Sequence, residues 1–233
     1  MQGIEDPQMA EAYDRISRMP PFALFRRNFV KRLKKHASGG SITDIGCGLG
    51  YLLQLIAKEF PTYKLTGVDI SEEMIKTATA NFSRIGLGGR SEFKQGSAEH
   101  LPFEDNTQDF IVSTLSLHHW VDPKAAFDEI YRSLKPGGQM LIMDLRRDAR
   151  RLFFWLVWFA QNVALRIAGA GVMRKINEPI GSLRASYTCA EIEEIMPRTP
   201  FDDYKIEGTT ALIYLWARKS LLSNEPLIGG CKA

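Results

Sequence analysis

Hydrophobic and polar positions alternate between two periods from about residue 41 onward. Segments at 49–59, 71–85 and 123–134 carry apolar residues at three- and four-residue steps, which predicts helices. Between them lie short runs rich in β-branched and apolar residues, which predict strands at 41–45, 64–69, 91–95, 109–114 and 139–145. Strands that alternate with helices of this length build βαβ units. The pattern therefore predicts an α/β domain with a Rossmann-like, mostly parallel sheet and helices on both faces.

The flanks of this core follow a different pattern. Helices are predicted at 7–18 and 22–37, and Ser38-Gly39-Gly40 would stop the second one. A long apolar helix is predicted at 151–168, and a further helix capped by Thr188 at 190–196. Strands at 203–206 and 210–218 would form a hairpin and give the sheet an antiparallel edge. We therefore expect one domain, with a helical cap (1–40), a core (41–145), an inserted lid (146–200) and a terminal hairpin (201–218).

Composition and charge exclude several classes of protein. With 233 residues, 45% hydrophobic and 24% charged, the chain has ordinary globular usage, which argues against a disordered or fibrous protein. Three scattered cysteines favour neither a disulfide framework nor a zinc site, so no metal is predicted and a reducing, cytoplasmic setting is expected. The longest apolar run, Leu152 to Ala160, has nine residues, whereas about 18 are needed to span a membrane. A net charge of +3 does not favour RNA, and no DNA partner is expected.

A glycine loop, Asp44-Ile45-Gly46-Cys47-Gly48-Leu49-Gly50, joins the first predicted strand to a helix. Glycines allow a tight turn and a close approach to a ligand, and a helix N-terminus offers unpaired N–H groups. The spacing GxGxG differs from the dinucleotide pattern GxGxxG, because Tyr51 stands in place of the third glycine. Asp69 ends the next strand, where an acid can accept hydrogen bonds from both ribose hydroxyls and Ile70 can pack on an adenine.

Together with two further motifs, these residues resemble the class I S-adenosylmethionine-dependent methyltransferases. The chain is most similar to the broad group that includes small-molecule and ubiquinone/menaquinone-pathway enzymes. The further motifs are Gly96-Ser97-Ala98-Glu99-His100-Leu101-Pro102-Phe103 and Leu134-Lys135-Pro136-Gly137-Gly138. The resemblance implies seven strands and transfer of a methyl group to a small, apolar or amphipathic acceptor, giving S-adenosylhomocysteine. An RNA or protein methyltransferase and a non-catalytic S-adenosylmethionine-binding module remain alternatives.

The resemblance also implies which residues bind the cofactor. Asp44 would engage its amino group, and Thr114 would offer a backbone carbonyl to the same ammonium. Asp69 would hold the ribose, and Ile70 would pack on the adenine. The other implied contacts are Tyr13, which would close over the cofactor, the loop residues Gly46, Cys47, Gly48 and Gly50, and the adenine-side residues Ser97, Ala98 and Glu99.

Two histidines are the candidate catalytic residues. His118 and His119 follow the fourth strand, on the face where the methyl group should point, and a histidine titrates near neutral pH. Either could act as a general base, with His119 preferred. The alternative is that one of them packs and bonds a backbone carbonyl. Cys47 is expected to be a small packing residue rather than a reactive thiol.

Other partners are suggested by basic and apolar segments outside the core. The basic helix around Arg26–Lys35 is expected to be a solvated amphipathic helix rather than an RNA surface. The apolar segment at 151–173 is expected to be a lid, with an apolar substrate pocket or a membrane-surface contact as alternatives. Nearby Arg146, Arg147, Arg150 and Arg151 would suit lipid phosphates or an anionic substrate. A monomer or a homodimer is expected.

Overall fold

A single mixed sheet dominates the computed structural model, which describes residues 7–37, 40–149, 159 and 180–221. Its strands are β1 (Ser41–Ile45), β2 (Lys64–Asp69), β3 (Ser91–Gln95), β4 (Gln108–Thr114), β5 (Leu134–Leu145), β6 (Asp203–Gly208) and β7 (Leu212–Arg218). The order across the sheet is β3-β2-β1-β4-β5-β7-β6. Strands β1 to β5 pair in parallel, and β7 is antiparallel to both of its neighbours. The predicted seven-stranded, mostly parallel α/β fold is confirmed.

Helices cover both faces of this sheet. They are α1 (Pro7–Ser17), α2 (Pro20–Leu33), α3 (Tyr51–Glu59), α4 (Glu72–Arg84), α5 (Pro123–Ser133), α6 (Ile180–Ala185) and α7 (Cys189–Ile195). Side-chain caps fix several of their starts. Ser71 accepts a hydrogen bond from the Met74 N–H at 3.2 Å, and Thr188 forms the expected cap of α7 as part of a capping box with Glu191.

The alternation of side chains along the central strands creates two cores. Ile111 of β4 points to the face covered by α5, where it joins a cluster with Phe127 and Ile130. Its neighbours Phe110 and Val112 point to the opposite face, which is covered by α2 and α3. Each large apolar side chain buried in this way contributes about 1.5–3 kcal/mol, so both helical layers are held firmly against the sheet.

Some element boundaries differ from the predicted ones for identifiable reasons. Helix α2 begins at Pro20 rather than at 22, because proline suits the first turn of a helix, and it ends at Leu33 rather than at 37. Helix α3 begins at Tyr51 rather than at 49, because Gly48 and Gly50 have positive φ angles of 50° and 79°.

The last part of the sheet also departs from the predicted boundaries. Strand β5 begins at Leu134 and includes the predicted turn 135–138. Gln108 of β4 pairs with Leu134 and Phe110 pairs with Gln139, so the turn residues of β5 are accommodated by a register shift between these two pairs. The hairpin connection lies at 209–211 rather than at 207–209. The predicted apolar helix at 151–168 lies outside the described residues, apart from residue 159. Within the described ranges, no helix combines the length and apolarity that a membrane span requires.

Candidate active site

The glycine loop turns directly at the carboxyl end of β1. The backbone N–H groups of Gly46 and Cys47 both donate to the carbonyl of Val68, at 2.8 and 3.0 Å. Gly46 has a φ of 71°, and a Cβ placed on it would lie 2.1 Å from Ser116 Oγ. A Cβ on Gly50 would lie 2.9 Å from a ring carbon of Phe82. These positions therefore require glycine both for backbone conformation and for space.

Two acids lie beside this loop in different environments. Asp69 accepts hydrogen bonds from the Gly48 N–H at 2.8 Å and the Ser71 N–H at 3.0 Å, so its carboxylate is held against the loop. Asp44 is only 2% exposed, and its Oδ1 atom has no hydrogen-bond partner among the described residues. Burial, and secondly the nearby Asp69, raises the pKa of Asp44 well above its ordinary value. A buried carboxyl oxygen without a donor is suited to a cationic or N–H-bearing ligand.

Helices α1 and α2 close over the loop as a cap. Tyr13 lies against Gly48, with a ring carbon 3.5 Å from the position that a Cβ on this glycine would take. The Tyr51 hydroxyl donates to the carboxylate of Asp14 in α1, and burial together with this bond raises the pKa of Tyr51 to about 12. Tyr51 occupies the third glycine position of the dinucleotide pattern. In this structure its side chain instead joins the start of α3 to α1 of the cap.

A cavity lies between this cap and the carboxyl ends of β1, β4 and β5. It brings together five predicted cofactor contacts, namely Tyr13, Asp44, Gly46, Cys47 and Thr114. The guanidinium-bearing Arg26 of α2 also lines it. The sequence did not predict this residue as part of the site, since the basic helix was expected to face solvent. The sequence indicates this placement only through the spacing, because Arg26 stands one helical turn before Phe29 and Val30, which are buried.

Other predicted contacts lie at the ends of β2 and β3. Ile70 exposes 47% of its surface directly after Asp69, so a large apolar side chain is open at the edge of the loop. Ser97 and Ala98 follow β3, and Ala98 is buried at 5% exposure. Glu99 accepts a hydrogen bond from the Val121 N–H at 2.8 Å. Its carboxylate thus joins the predicted adenine-side segment to the loop that follows the histidines.

The two histidines differ sharply in their surroundings. His118 is 7% exposed, and its Nδ1 lies 2.8 Å from Oδ1 of Asp144, which is 1% exposed. The His118 backbone N–H donates to Oδ2 of the same carboxylate at 2.9 Å. Its Nε2 atom is buried and has no hydrogen-bond partner among the described residues. The expected alternative, a bond to a backbone carbonyl, is replaced here by a carboxylate.

His119 exposes more of its surface than His118 does. Its ring centroid lies 4.0 Å from that of His118. Desolvation, and secondly the neighbouring His118, lowers the pKa of His119 to about 4. Sequence reasoning preferred His119, and the structure gives the buried carboxylate partner to His118. Asp144 was missed, and the available signal was an acid inside an otherwise apolar strand.

The remaining candidate residues have structural partners. Cys47 packs at 7% exposure, and burial raises the pKa of its thiol well above the ordinary value, which agrees with the expected packing role. Arg146 bonds Asp148 at 2.8 and 2.9 Å, and Arg147 pairs with Glu191. These two arginines were expected to meet an anionic partner, and the structure instead pairs them within the chain. Arg150 and Arg151 lie outside the described residues.

Comparison with known proteins identifies the family of this chain. A family model described as "Methyltransferase domain" matches residues 43–142. The ubiquinone/menaquinone biosynthesis C-methyltransferase UbiE of Geotalea daltonii is 30% identical over 164 residues, covering 69% of this chain and 70% of the relative. Demethylmenaquinone methyltransferase of Lactiplantibacillus plantarum is 30% identical over 170 residues, with 71% of each chain covered.

A solved structure shows the same fold. The crystal structure of a putative S-adenosyl-L-methionine-dependent methyltransferase from Methanococcus maripaludis aligns with a TM-score of 0.70 and 22% identity. The alignment covers 96% of this chain and 99% of that one. The chain therefore belongs to the class I S-adenosylmethionine-dependent methyltransferases and uses S-adenosylmethionine as its cofactor.

Proposed function

We propose that this methyltransferase acts on a small, apolar or amphipathic acceptor that carries a hydroxyl group, of the hydroxylated aromatic type. The observation that carries the proposal is the buried His118–Asp144 pair, in which Nε2 of His118 has no hydrogen-bond partner among the described residues. The similarity to enzymes named for quinone C-methylation supports an acceptor of this kind.

The residues around the loop fit the cofactor. The unpartnered oxygen of Asp44 suits an ammonium group, and the carboxylate of Asp69 at the end of β2 suits ribose hydroxyls. At Gly46 and Gly50 a Cβ would meet Ser116 and Phe82, so the tight turn of the loop beside these two acids requires glycine. When bound, S-adenosylmethionine supplies a methyl group already activated by a positive sulfur. The protein has mainly to align the acceptor and remove its proton.

Asp144 sets the protonation pattern of His118. Its carboxylate receives the His118 backbone N–H, the ring Nδ1 at 2.8 Å and the Leu145 N–H at 2.6 Å. In the tautomer whose Nδ1–H donates to this carboxylate, Nε2 carries the lone pair. His118 in this state is a general base for an acceptor hydroxyl. Such a base typically contributes about 10²–10⁴-fold to the rate.

The same pair favours some acceptors over others. A neutral amine already presents a lone pair and needs no base before methylation. A phenolic hydroxyl benefits much more from a general base, because its anion is a better nucleophile than the neutral phenol, both at oxygen and at the adjoining ring carbon. A buried His–Asp pair therefore supports a hydroxylated acceptor rather than an amine.

The test combines an acceptor panel with matched histidine variants. Methyl transfer from radiolabelled S-adenosylmethionine is measured with a reduced demethylnaphthoquinone, a catechol and an aromatic amine of similar size. The hydroxylated compounds should be methylated and the amine should not. His118→Gln should lower kcat by about 10²–10⁴-fold and leave S-adenosylhomocysteine affinity unchanged, whereas the matched control His119→Gln should change kcat by less than about tenfold.

Three results would contradict the proposal. The first is methylation of the amine alone, and the second is a greater loss in His119→Gln than in His118→Gln. The third is label transfer to RNA or protein with none to small molecules, which would support the alternative classes of methyltransferase.

A further inference from the structure

Arg26 differs from the other cations of the basic helix in where its guanidinium lies. Arg32 is paired with Glu207 at 2.5 Å, and Lys34 is paired with Glu59, both at the surface. Arg26 is half-buried and lines the same cavity as Asp44. Within the described part of the chain no carboxylate pairs with it. Among the described residues, its guanidinium donates one hydrogen bond, to the backbone carbonyl of Ser17 at 2.5 Å.

A half-buried guanidinium without a neighbouring carboxylate is energetically unfavourable. Burial lowers the pKa of Arg26, which shows that its surroundings disfavour the charge. Its aromatic neighbour Tyr51 lies 5.4 Å away, measured from the guanidinium carbon to the ring centre, and is a neutral group that leaves the charge without an ionic partner. The guanidinium has five N–H donors and one is used on Ser17, so a bidentate carboxylate can still be accommodated.

The cavity thus holds one group of each sign. Asp44 offers a buried, unpartnered carboxyl oxygen, and Arg26 offers a guanidinium with spare donors. These two groups complement the ammonium and the carboxylate of a zwitterionic α-amino acid. We infer that Arg26 binds the α-carboxylate of the methionine moiety of the cofactor. The inference rests on the cofactor alone and is independent of the acceptor proposed above.

The position of Arg26 gives this contact a second effect. Its bond to Ser17 joins α2 to the last residue of α1, and the guanidiniums of Arg18 and Arg26 lie 5.6 and 5.4 Å from the ring of Tyr51. A carboxylate held by Arg26 would therefore also hold both cap helices on the glycine loop. The amino-acid end of the cofactor, rather than its adenosine, would order the cap.

The experiment uses two ligands that differ only in the carboxylate, S-adenosylmethionine and decarboxylated S-adenosylmethionine. Affinities are measured by calorimetry for the full chain, for Arg26→Gln and Arg26→Lys, and for Arg27→Gln as a matched control at an exposed neighbouring position. Arg26→Gln should weaken S-adenosylmethionine binding by about 10- to 100-fold and change binding of the decarboxylated ligand by less than about threefold. Arg26→Lys should lie between, because an ammonium lacks the bidentate geometry. Arg27→Gln should bind both ligands normally.

Hydrogen exchange supplies a second readout. S-adenosylmethionine should slow amide exchange in α1 and α2 of the unaltered protein, and its decarboxylated form should do so much less.

Equal weakening of the binding of both ligands in Arg26→Gln would show a merely structural role and overturn the inference. Unchanged binding in both Arg26 variants would overturn it too, while leaving the cofactor in place. Failure of the unaltered protein to bind either ligand would instead refute the cofactor, and the inference with it. Should Arg26→Gln fail to fold, the charge-preserving Arg26→Lys decides the question, since it too must discriminate between the two ligands.

Discussion

Gly46 allows the geometry of the loop to be tested, because replacing it with alanine has two separable costs. Its φ of 71° lies in the left-handed region, which costs a residue with a side chain roughly 1–2 kcal/mol. A Cβ there would also lie 2.1 Å from Oγ and 2.6 Å from Cβ of Ser116. Rotation of Ser116 can move its Oγ but not its Cβ, so the backbone must shift. Rotation would also break the bond from Trp120 Nε1 to Ser116 Oγ at 3.2 Å.

The size of the effect follows from these contacts. Overpacking costs about 1–3 kcal/mol, and a lost hydrogen bond of this kind costs about 0.5–1.5 kcal/mol. Gly46→Ala should therefore lower the free energy of unfolding by about 3–5 kcal/mol in urea denaturation. Gly86→Ala is the matched control, since Gly86 has a φ of 75° but nothing within 4 Å of its Cβ position. It should cost only the backbone part, about 1–2 kcal/mol.

Two further variants complete the series. Gly89 has nothing within 4 Å and no left-handed φ, so Gly89→Ala should change stability by less than about 0.5 kcal/mol. Ser116→Gly, added to Gly46→Ala, removes both clashing atoms and should recover part of the difference between Gly46→Ala and Gly86→Ala. The reasoning is refuted if Gly46→Ala is no more destabilising than Gly86→Ala, or if Ser116→Gly gives no recovery.

Three other predictions concern the cavity and its cap. Because burial raises the pKa of Asp44, a ligand ammonium beside it should lower this pKa and release a proton on binding. Calorimetry in buffers of different ionisation enthalpy should detect the released proton, and Asp44→Asn should abolish it. The pKa of Tyr51 is raised to about 12, so the stability given by its bond to Asp14 is present below the unfolded pKa and is lost as pH rises toward the folded one. Tyr51→Phe should lack this loss in alkaline unfolding curves; an unchanged curve would contradict the contact. Iodoacetamide should alkylate the buried Cys47 much more slowly than the half-exposed Cys189, as judged by peptide mass spectrometry, and comparable rates would show that Cys47 is accessible.

Much of the sheet could be predicted because its signals are local. Strands β1, β2 and β3 begin and end where the apolar and β-branched runs predict. The start of α3 could not be placed, because it depends on the handedness of Gly48 and Gly50 rather than on hydrophobicity. Strand β5 was predicted too short, because a strand that continues through proline and two glycines needs a partner to define it.

The site divides in the same way. The positions of Asp44 and Asp69 follow from strand ends in a parallel sheet, so the sequence could place them at one edge. The pairing of His118 with Asp144 depends on β4 and β5 being neighbours, and their 26-residue separation carries no local signal. Arg26 enters the cavity because α2 packs by Phe29 and Leu33, and the direction of a single cation on that helix is set by this packing.

The interior position of β7 also bears on how the chain is synthesised. Strand β7 follows the other six strands of the sheet along the chain, yet it inserts between β5 and β6 rather than adding to the outside of the sheet. Until it emerges, β5 of the nascent polypeptide presents an unpaired row of backbone donors and acceptors, and such an edge readily captures other chains. Translation products that stop before Leu212 are therefore expected to aggregate or to occupy chaperones. The core at 41–145 is therefore expected to stay prone to association until β7 has paired with β5.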